Sequence, residues 1–446
     1  MSQARFSHDL AALKSIAADA LAHAAKKGAS ACEAETSDGY GQTVTVRKGE
    51  VETIEYNRDK SLGVTVYVGK RKGYASTADF AGRAIRDTVE AALTIARFTA
   101  EDEAAGLPDA EDLAKDPGDL DLFHPWDPPV ERAIEIAKAC EAAAFRLDKR
   151  VVNSEGASVS CQQWHFALGN SHGFMEGFPT SRHTISCAVI AAEKGQMQRD
   201  DWYSSQRAQH DLAKPEAIGD YAGRRALARL RSRKIGTTQA PVLFEAPVAS
   251  DLLSTFVSAV SGGNLYRKTS FLVDALGTTV FSPIVTVVER PHLPRGQASS
   301  WYDDEGVATR DRDVVMDGVL RGYFLGSYSA RKLGVKTTAS AGGNHNLILQ
   351  GGDLDLPALI RKMRRGLLVT ELIGFGVNLV TGDYSRGAAG FWVEGGEIRY
   401  PVEEITIAGN LRDMFRSISA IGSDALTRGS RTCGSILVDG MTIAGN

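Results

Sequence analysis

Two stretches of this chain read in the same order, an amphipathic helix, a run of alternating strands and a closing helix, and that recurrence limits the fold more than any other feature. In the first copy Leu10, Leu13, Ile16, Ala17, Ala20, Leu21 and Ala24 recur at helical spacing, with Ser7 or Asp9 able to cap the start and Gly28 the end. Thr43 to Arg47, Val51 to Tyr56 and Leu62 to Val68 then alternate and are rich in β-branched residues, with turns at Lys48-Gly49 and Gly69-Lys70. A helix from Asp79 to about Phe98 closes the copy. In the second copy Val130 to Leu147 reads as helix, Ser158 to Leu168, Gly173 to Gly177 and His183 to Ala191 as strands, and Pro215 to Lys234 as helix. Between them, 101–129 holds ten acidic residues, one lysine and five prolines, a composition that suits a linker better than a helix or a sheet interior.

From Ala240 the texture changes. A strand (Pro241 to Glu245) and a helix (Val248 to Val260) precede a mostly β region. Asp317-Gly318 and Gly395-Gly396 each sit between two short β-prone runs, as the central pair of a two-residue hairpin does. Asn410 is placed to cap a helix running from Leu411 to Ile421, and a last strand lies around Ile436 to Val438. Helices set apart from antiparallel meanders predict an α+β fold: a duplicated helix-plus-antiparallel-meander N-terminal region and a β-rich C-terminal domain. The boundaries read as 1–100, a linker at 101–129, a central unit at 130–236 and the C-terminal domain at 237–446.

Composition removes several function classes. With 43% hydrophobic and 24% charged residues over 446, the chain can bury a large core, which excludes disorder as its main state. Lys and Arg total 51 against 55 Asp and Glu, a net charge of −4 that makes neither nucleic acid nor an anionic membrane the natural partner. The first ten residues lack the basic and apolar regions of a secretory signal, and no stretch reaches membrane-span length. The expected location is the cytoplasm. Cys32, Cys140, Cys161, Cys187 and Cys433 form no CxxC pair and are odd in number, so free thiols are expected.

Searching for catalytic patterns yields mostly exclusions. Gly169-Asn170-Ser171-His172-Gly173 fits GxSxG, but no helix pattern follows it, so it reads as a polar turn between strands. Neither GxGxxG nor GxxxxGK occurs. None of the nine histidines is followed by glutamate, which removes HExxH and HExxxH together. Arg224, Arg225, Arg229, Arg231, Arg233 and Lys234 form a basic helix end, and Arg361, Lys362, Arg364 and Arg365 a second cluster. Without interleaved aromatic residues these read as solvated helix ends. Asp303-Asp304-Glu305-Gly306 lacks the ligand spacing of an EF-hand and reads as an acidic turn.

Four motifs carry a family resemblance. Ser261-Gly262-Gly263-Asn264-Leu265-Tyr266-Arg267-Lys268, then Asp303-Asp304-Glu305-Gly306, Thr381-Gly382-Asp383-Tyr384-Ser385-Arg386-Gly387-Ala388, and Val402-Glu403-Glu404-Ile405-Thr406 through Asn410-Leu411 resemble the TldD/PmbA family, also known as peptidase U62 or modulator of DNA gyrase. The ending, Cys433-Gly434-Ser435 with Met441 to Gly445, resembles its PmbA/TldE branch. The resemblance implies a heterodimeric zinc metalloprotease acting on unfolded or unstructured peptides. It implies a metal held by HExxxH in the helix before Arg267-Lys268, with a cysteine near the C-terminus. At that helix this chain has Ser254-Thr255-Phe256-Val257-Ser258-Ala259, so every ligand and the general-base glutamate are missing there. Cys433 alone matches a ligand position.

The expectation is therefore a partner subunit that is non-catalytic by itself and binds no cofactor, with zinc on a TldD-like paralogous chain. A homodimer is the fallback in isolation, a peptide is the substrate, and neither membrane nor nucleic acid is a partner. An extended peptide is expected to add as a strand to an exposed edge. Arg267, Lys268, Asp303, Asp304, Asp383 and Tyr384 are the candidate substrate-binding residues, with fold support as the alternative role. Two other readings stay open: a self-sufficient metallopeptidase built from His345, Cys433 and Asp303-Asp304, and an adaptor for gyrase using the arginines near Arg229.

Overall fold

The computed structural model describes residues 6–445. They divide into two compact units, 6–227 with 294–296 and 301–308, and 228–293 with 297–300 and 309–445.

The first unit starts with α1 (Leu10–Lys26), whose first turn is capped by the Asp9 carboxylate accepting the Ala12 N–H at 2.8 Å. β1 (Ala31–Arg47), β2 (Glu50–Val68), β3 (Arg71–Thr77) and α2 (Gly82–Phe98) follow. After a largely irregular stretch come α3 (Val130–Leu147), β4 (Val151–Asn170), β5 (Met175–Glu193), β6 (Gln196–Gln206) and α4 (Pro215–Ala228). The two copies do not form separate sheets. β1 and β4 pair antiparallel from Glu33–Asn170 to Val46–Ala157, giving one six-stranded sheet in the order β3-β2-β1-β4-β5-β6.

Small side chains bring the helices close to this sheet. Ala17, Ala20 and Ala24 of α1 are fully buried with Cys32 and Ala34 of β1 and Val89 of α2. Glu141 of α3 closes the β1–β2 turn instead, its two carboxylate oxygens accepting the Lys48 and Gly49 N–H groups at 2.8 Å each. The acidic stretch 101–129 contains one short 3-10 turn, Ala110–Asp112, and buries Ala104, Ala105, Leu107, Leu113, Leu120 and Leu122, so it packs as a strap.

Several boundaries differ from the periodicity. β5 is one strand where two were expected, because β6 pairs with it only from His183 onward and leaves Pro179 on an open edge, where a proline costs no ladder bond. β6 itself is too polar to show an alternating pattern. α4 stops at Ala228 although the apolar pattern runs on, since Arg231 adopts a left-handed φ of 65° and Arg233 bridges to Val402.

The second unit contains β7 (Thr238–Phe244), α5 (Ala246–Ala259), α6 (Gly262–Tyr266), β8 (Val287–Glu289), β9 (Arg312–Met316), β10 (Val319–Leu320), α7 (Ser327–Leu333), β11 (Leu347–Leu349) and α8 (Leu356–Met363). β12 (Arg365–Ile373), β13 (Asp383–Glu394), β14 (Glu397–Asn410), α9 (Leu411–Arg416), β15 (Ile418–Ile421), β16 (Leu426–Arg428), β17 (Arg431–Cys433) and β18 (Ile436–Ala444) complete it. Strands β14-β13-β12-β7-β18 are successive neighbours, and β18 also pairs with β14, which closes them into a ring. β15 lies on the remaining edge of β18, and a second sheet runs β10-β9-β8-β11-β17-β16.

Both hairpins form where Asp317-Gly318 and Gly395-Gly396 supply positive φ. The helix begun at Asn410, whose side chain accepts the Arg412 N–H at 3.1 Å, ends at Arg416. Ile418 to Ile421 is strand instead, because its β-branched residues pair with β18. The core of this unit gathers around Phe256 of α5, which meets the Phe281 and Phe415 rings at 5.0 and 6.3 Å.

Candidate functional site

The helix α5 carries the chemistry of the second unit. It packs against β12 of the ring and against β16 and β17 of the other sheet. Its start is satisfied from a distance. The Ala246 N–H donates to Ser435 Oγ at 3.1 Å, and Ser435 Oγ donates to Asp424 at 2.6 Å. Leu252, Leu253, Phe256, Val257 and Ala259 are buried, while Asp251, Ser254, Thr255 and Ser258 are only half-buried and share the opposite side of the helix by their spacing. Ser258 donates back to the Ser254 carbonyl at 3.0 Å, and its own carbonyl accepts Asn264 Nδ2 at 2.7 Å.

One arginine pairs with Asp251 and a second feels its charge. Arg386 on β13 makes an ion pair with it and is 12% exposed, against 41% for Asp251. Arg431 lies on β17, two residues before Cys433, whose thiol donates to the Ala246 carbonyl at 3.7 Å. These groups act on one another electrically. Burial depresses Arg431, while Asp251 and Cys433 pull it back up. Burial pushes the Cys433 thiol up to about 12, Asp424 adds to that and Arg431 opposes it. Tyr384, two residues before Arg386, is 1% exposed; burial raises its hydroxyl, Arg386 lowers it and Asp251 raises it.

Of the residues singled out in the sequence, this arrangement contains Tyr384 and Cys433. Arg267 and Lys268 are exposed just after α6, and the Arg267 guanidinium donates to its neighbour Tyr266 at 2.8 Å. Asp383 accepts from Thr381 at 2.6 Å and from Asn410 at 3.2 Å, and these two bonds, in that order, hold its carboxyl below the usual range. Gly382, at φ 84°, passes the chain to the Leu411 N–H, so the Thr381 to Asp383 motif clips the start of α9.

Asp303 and Asp304 belong to the first unit. Asp303 is 2% exposed and its carboxylate accepts the Glu305 and Val307 N–H groups at 3.0 Å, so the motif is an acidic turn. Glu33 and Glu35 of β1 lie in its field. Burial first, then Glu305, lifts the Glu33 carboxyl to about 7, with Lys72 opposing; burial and Asp304 raise Glu35.

Other candidates resolve into structural roles. Ser171 of GxSxG accepts the Cys32 N–H at 3.0 Å within the β4–β5 turn. His165 stacks on Phe6 at 3.6 Å, His172 contacts the Pro108 carbonyl at 3.1 Å, and His183 the His124 carbonyl at 2.8 Å. His345 is held by Glu289 at 3.6 Å. Among the described residues, no group of three or more His, Cys, Asp or Glu side chains is placed to share a metal ion. The basic helix end is spent internally: Arg224 on Asp220, Arg225 on Asp200, Arg229 on Glu371, Lys234 on Glu404, and Arg233 over the Tyr400 ring at 3.6 Å. All five cysteines are buried free thiols. No described helix is long and apolar enough to cross a membrane.

Asp251, Arg431 and Asp424 were not singled out by sequence reading, and Ser435 and Arg386 stood in the quoted motifs without a role of their own. Arg431 alone carried a signal, as an arginine two places before a buried cysteine in an alternating run.

Comparisons with known proteins agree with this architecture. Models of the PmbA/TldA metallopeptidase match in three parts: domain 1 at residues 32–96, the central domain at 123–230 and the C-terminal domain at 237–445. The chain is 50% identical to Metalloprotease PmbA of Escherichia coli O157:H7 over 93% of this chain and 92% of that protein. It is 23% identical to a Metalloprotease TldD homolog of Haemophilus influenzae over 86% of this chain and 84% of that one. A crystal structure from Bacteroides thetaiotaomicron, titled as a modulator of DNA gyrase, superposes with TM-score 0.92 at 29% identity, covering 97% of this chain and 99% of the other. TldE from Thermococcus kodakarensis superposes at 0.84 with 19% identity over 96% and 100%, a likeness of fold.

Proposed function

Because the chain belongs to the PmbA/TldD metallopeptidase family, we propose that it is the non-catalytic subunit of a two-chain zinc peptidase of the cytoplasm. A TldD-like paralogue supplies the metal, and the substrates are unfolded or unstructured peptides. The observation that carries this reading is the donor set along α5 and β17. Where the family resemblance calls for metal ligands there stand Ser254, Ala259 and a Cys433 thiol pushed up to about 12, with Thr255 in place of the general-base glutamate and Arg386 and Arg431 in the same unit. Zinc proteolysis needs about three protein ligands, a water in an open position and a carboxylate to take its proton. A neutral hydroxyl, a methyl group and a protonated thiol do not fit a doubly charged cation, and Asp251 is engaged by Arg386.

The rest of the fold suits a subunit that handles peptides. β3 pairs with β2 only from Leu62, so Glu50 to Ser61 forms an open edge whose backbone groups can accept an extended chain of any sequence. The gyrase-adaptor reading loses its main support, because the arginines near Arg229 are engaged within the protein. The test is a cleavage assay on an unstructured peptide with this chain, with a TldD-type chain, and with both. Activity only in the mixture is expected. Zinc-dependent cleavage by this chain alone would overturn the assignment.

A further inference from the structure

Three polar groups around α5 are buried and lack a hydrogen-bond partner among the described residues. Arg386 Nε and Arg431 Nε are buried and make no hydrogen bond, and neither does the Tyr384 hydroxyl, on a residue 1% exposed. Arg431 makes no ion pair among the described residues, whereas Arg386 has one, to Asp251. An unpaired buried donor is costly, and a native structure seldom keeps three in one place without something to receive them.

Their convergence follows from backbone geometry. Tyr384 and Arg386 are two apart on β13 and project from the same face. At the start of α5, Cys433 meets the Ala246 carbonyl. Arg431 is two residues from Cys433, about 6.6 Å along a strand. Asp251 is five residues from Ala246, about 7.5 Å along a helix. α5 packs against β17, and the Asp251 carboxylate and the Arg431 guanidinium interact electrically. Asp251 is 41% exposed, so the cluster opens to solvent on its side.

We propose that Arg431, Arg386 and Tyr384 form a carboxylate-binding site on the α5 side of the second unit, and that its occupant is the free C-terminus of a peptide. Asp251 already matches Arg386, which leaves Arg431 as the cation that a single carboxylate would pair. A guanidinium fork matches a carboxylate in shape, and a phenolic O–H adds a third donor. The site lies where the family's other branch places its metal chemistry, so it gives this subunit a positioning role: it holds the end of a chain whose cleavage occurs elsewhere. This inference rests on the peptide-handling reading above.

The experiment measures binding of one short fluorescent unstructured peptide to the full chain, as its free acid and as its C-terminal amide. The acid is expected to bind roughly tenfold tighter or more, the worth of one hydrogen bond to a charged group. Arg431→Gln should remove most of that preference by weakening the acid far more than the amide. Tyr384→Phe, which deletes an unpartnered hydroxyl and so spares the fold, should reduce it in part. Equal binding of acid and amide would overturn the carboxylate site but leave peptide handling intact. Binding of neither form would overturn both. Stronger displacement of the acid by inorganic phosphate than by acetate would overturn the carboxylate assignment.

Discussion

The two units treat their sheet edges in opposite ways. The first leaves a six-stranded sheet open, with Glu50 to Ser61 of β2 unpaired on its outer side among the described residues and Val51, Ile54 and Tyr56 exposed along it. The second closes five strands into a ring and centres its core on one aromatic cluster around Phe256. Their buried charges differ as well. Near Glu33 like charges share one place, whereas at Asp251 a carboxylate pairs with one cation and acts on a second. An open sheet held by small residues offers surface for other chains, and a closed ring offers a rigid frame for a few exactingly placed side chains. The contrast teaches that binding surface and site geometry are separated between the units.

The largest effect that tests this contrast is Phe256→Ala. Removing a ring packed on Phe281 and Phe415 leaves a cavity in the closed unit and should cost about 3–5 kcal/mol. Calorimetry should show the second unit melting earlier while the first holds; one transition shifting as a whole would break the contrast. Next comes Ala20→Leu. A fully buried alanine between α1 and its neighbours has no room for added carbon, and the strain should cost about 1–3 kcal/mol, confined to the first unit. Denaturant melts followed with a probe in each unit would check this.

The smallest effect is a pH dependence. The Glu33 carboxyl is raised from 4.5 to about 7 by burial and by Glu305, so the folded chain keeps a proton that the unfolded chain releases. The stability this contributes is complete below about 4.5 and is lost as pH rises through about 7. Glu33→Gln should flatten that decline, by at most ~1.4 kcal/mol per pH unit at its steepest. An unchanged profile in urea melts across this range would remove Glu33 from the account.

Much of the secondary structure was legible locally. The helix from Val130 to Leu147, the hairpins at Asp317-Gly318 and Gly395-Gly396, and the caps at Asp9 and Asn410 all rest on contacts within a few residues. Where reading failed, a distant partner decided. Ile418 to Ile421 continues a helical pattern but pairs with β18, and polar β6 became a strand because β5 offered it an edge. The site divided in the same way. The motif residues Asp383 and Asp303 turned out to fasten turns, whereas Asp251 and Arg431 acquired meaning through residues far along the chain.

By itself, the sequence determined the α+β composition, the duplicated order, the absence of histidines and glutamate in the α5 motif, and membership of a peptidase family. These depend on residue type and short spacing. Tertiary structure decided that the two copies share one sheet, that β18 closes a ring, and that one aspartate pairs with one arginine and acts on another from a different sheet. Such meetings join positions far apart along the chain, from Thr406 with Ala444 to Asp251 with Arg386, and local periodicity carries no information about which strand a side chain will face across that distance.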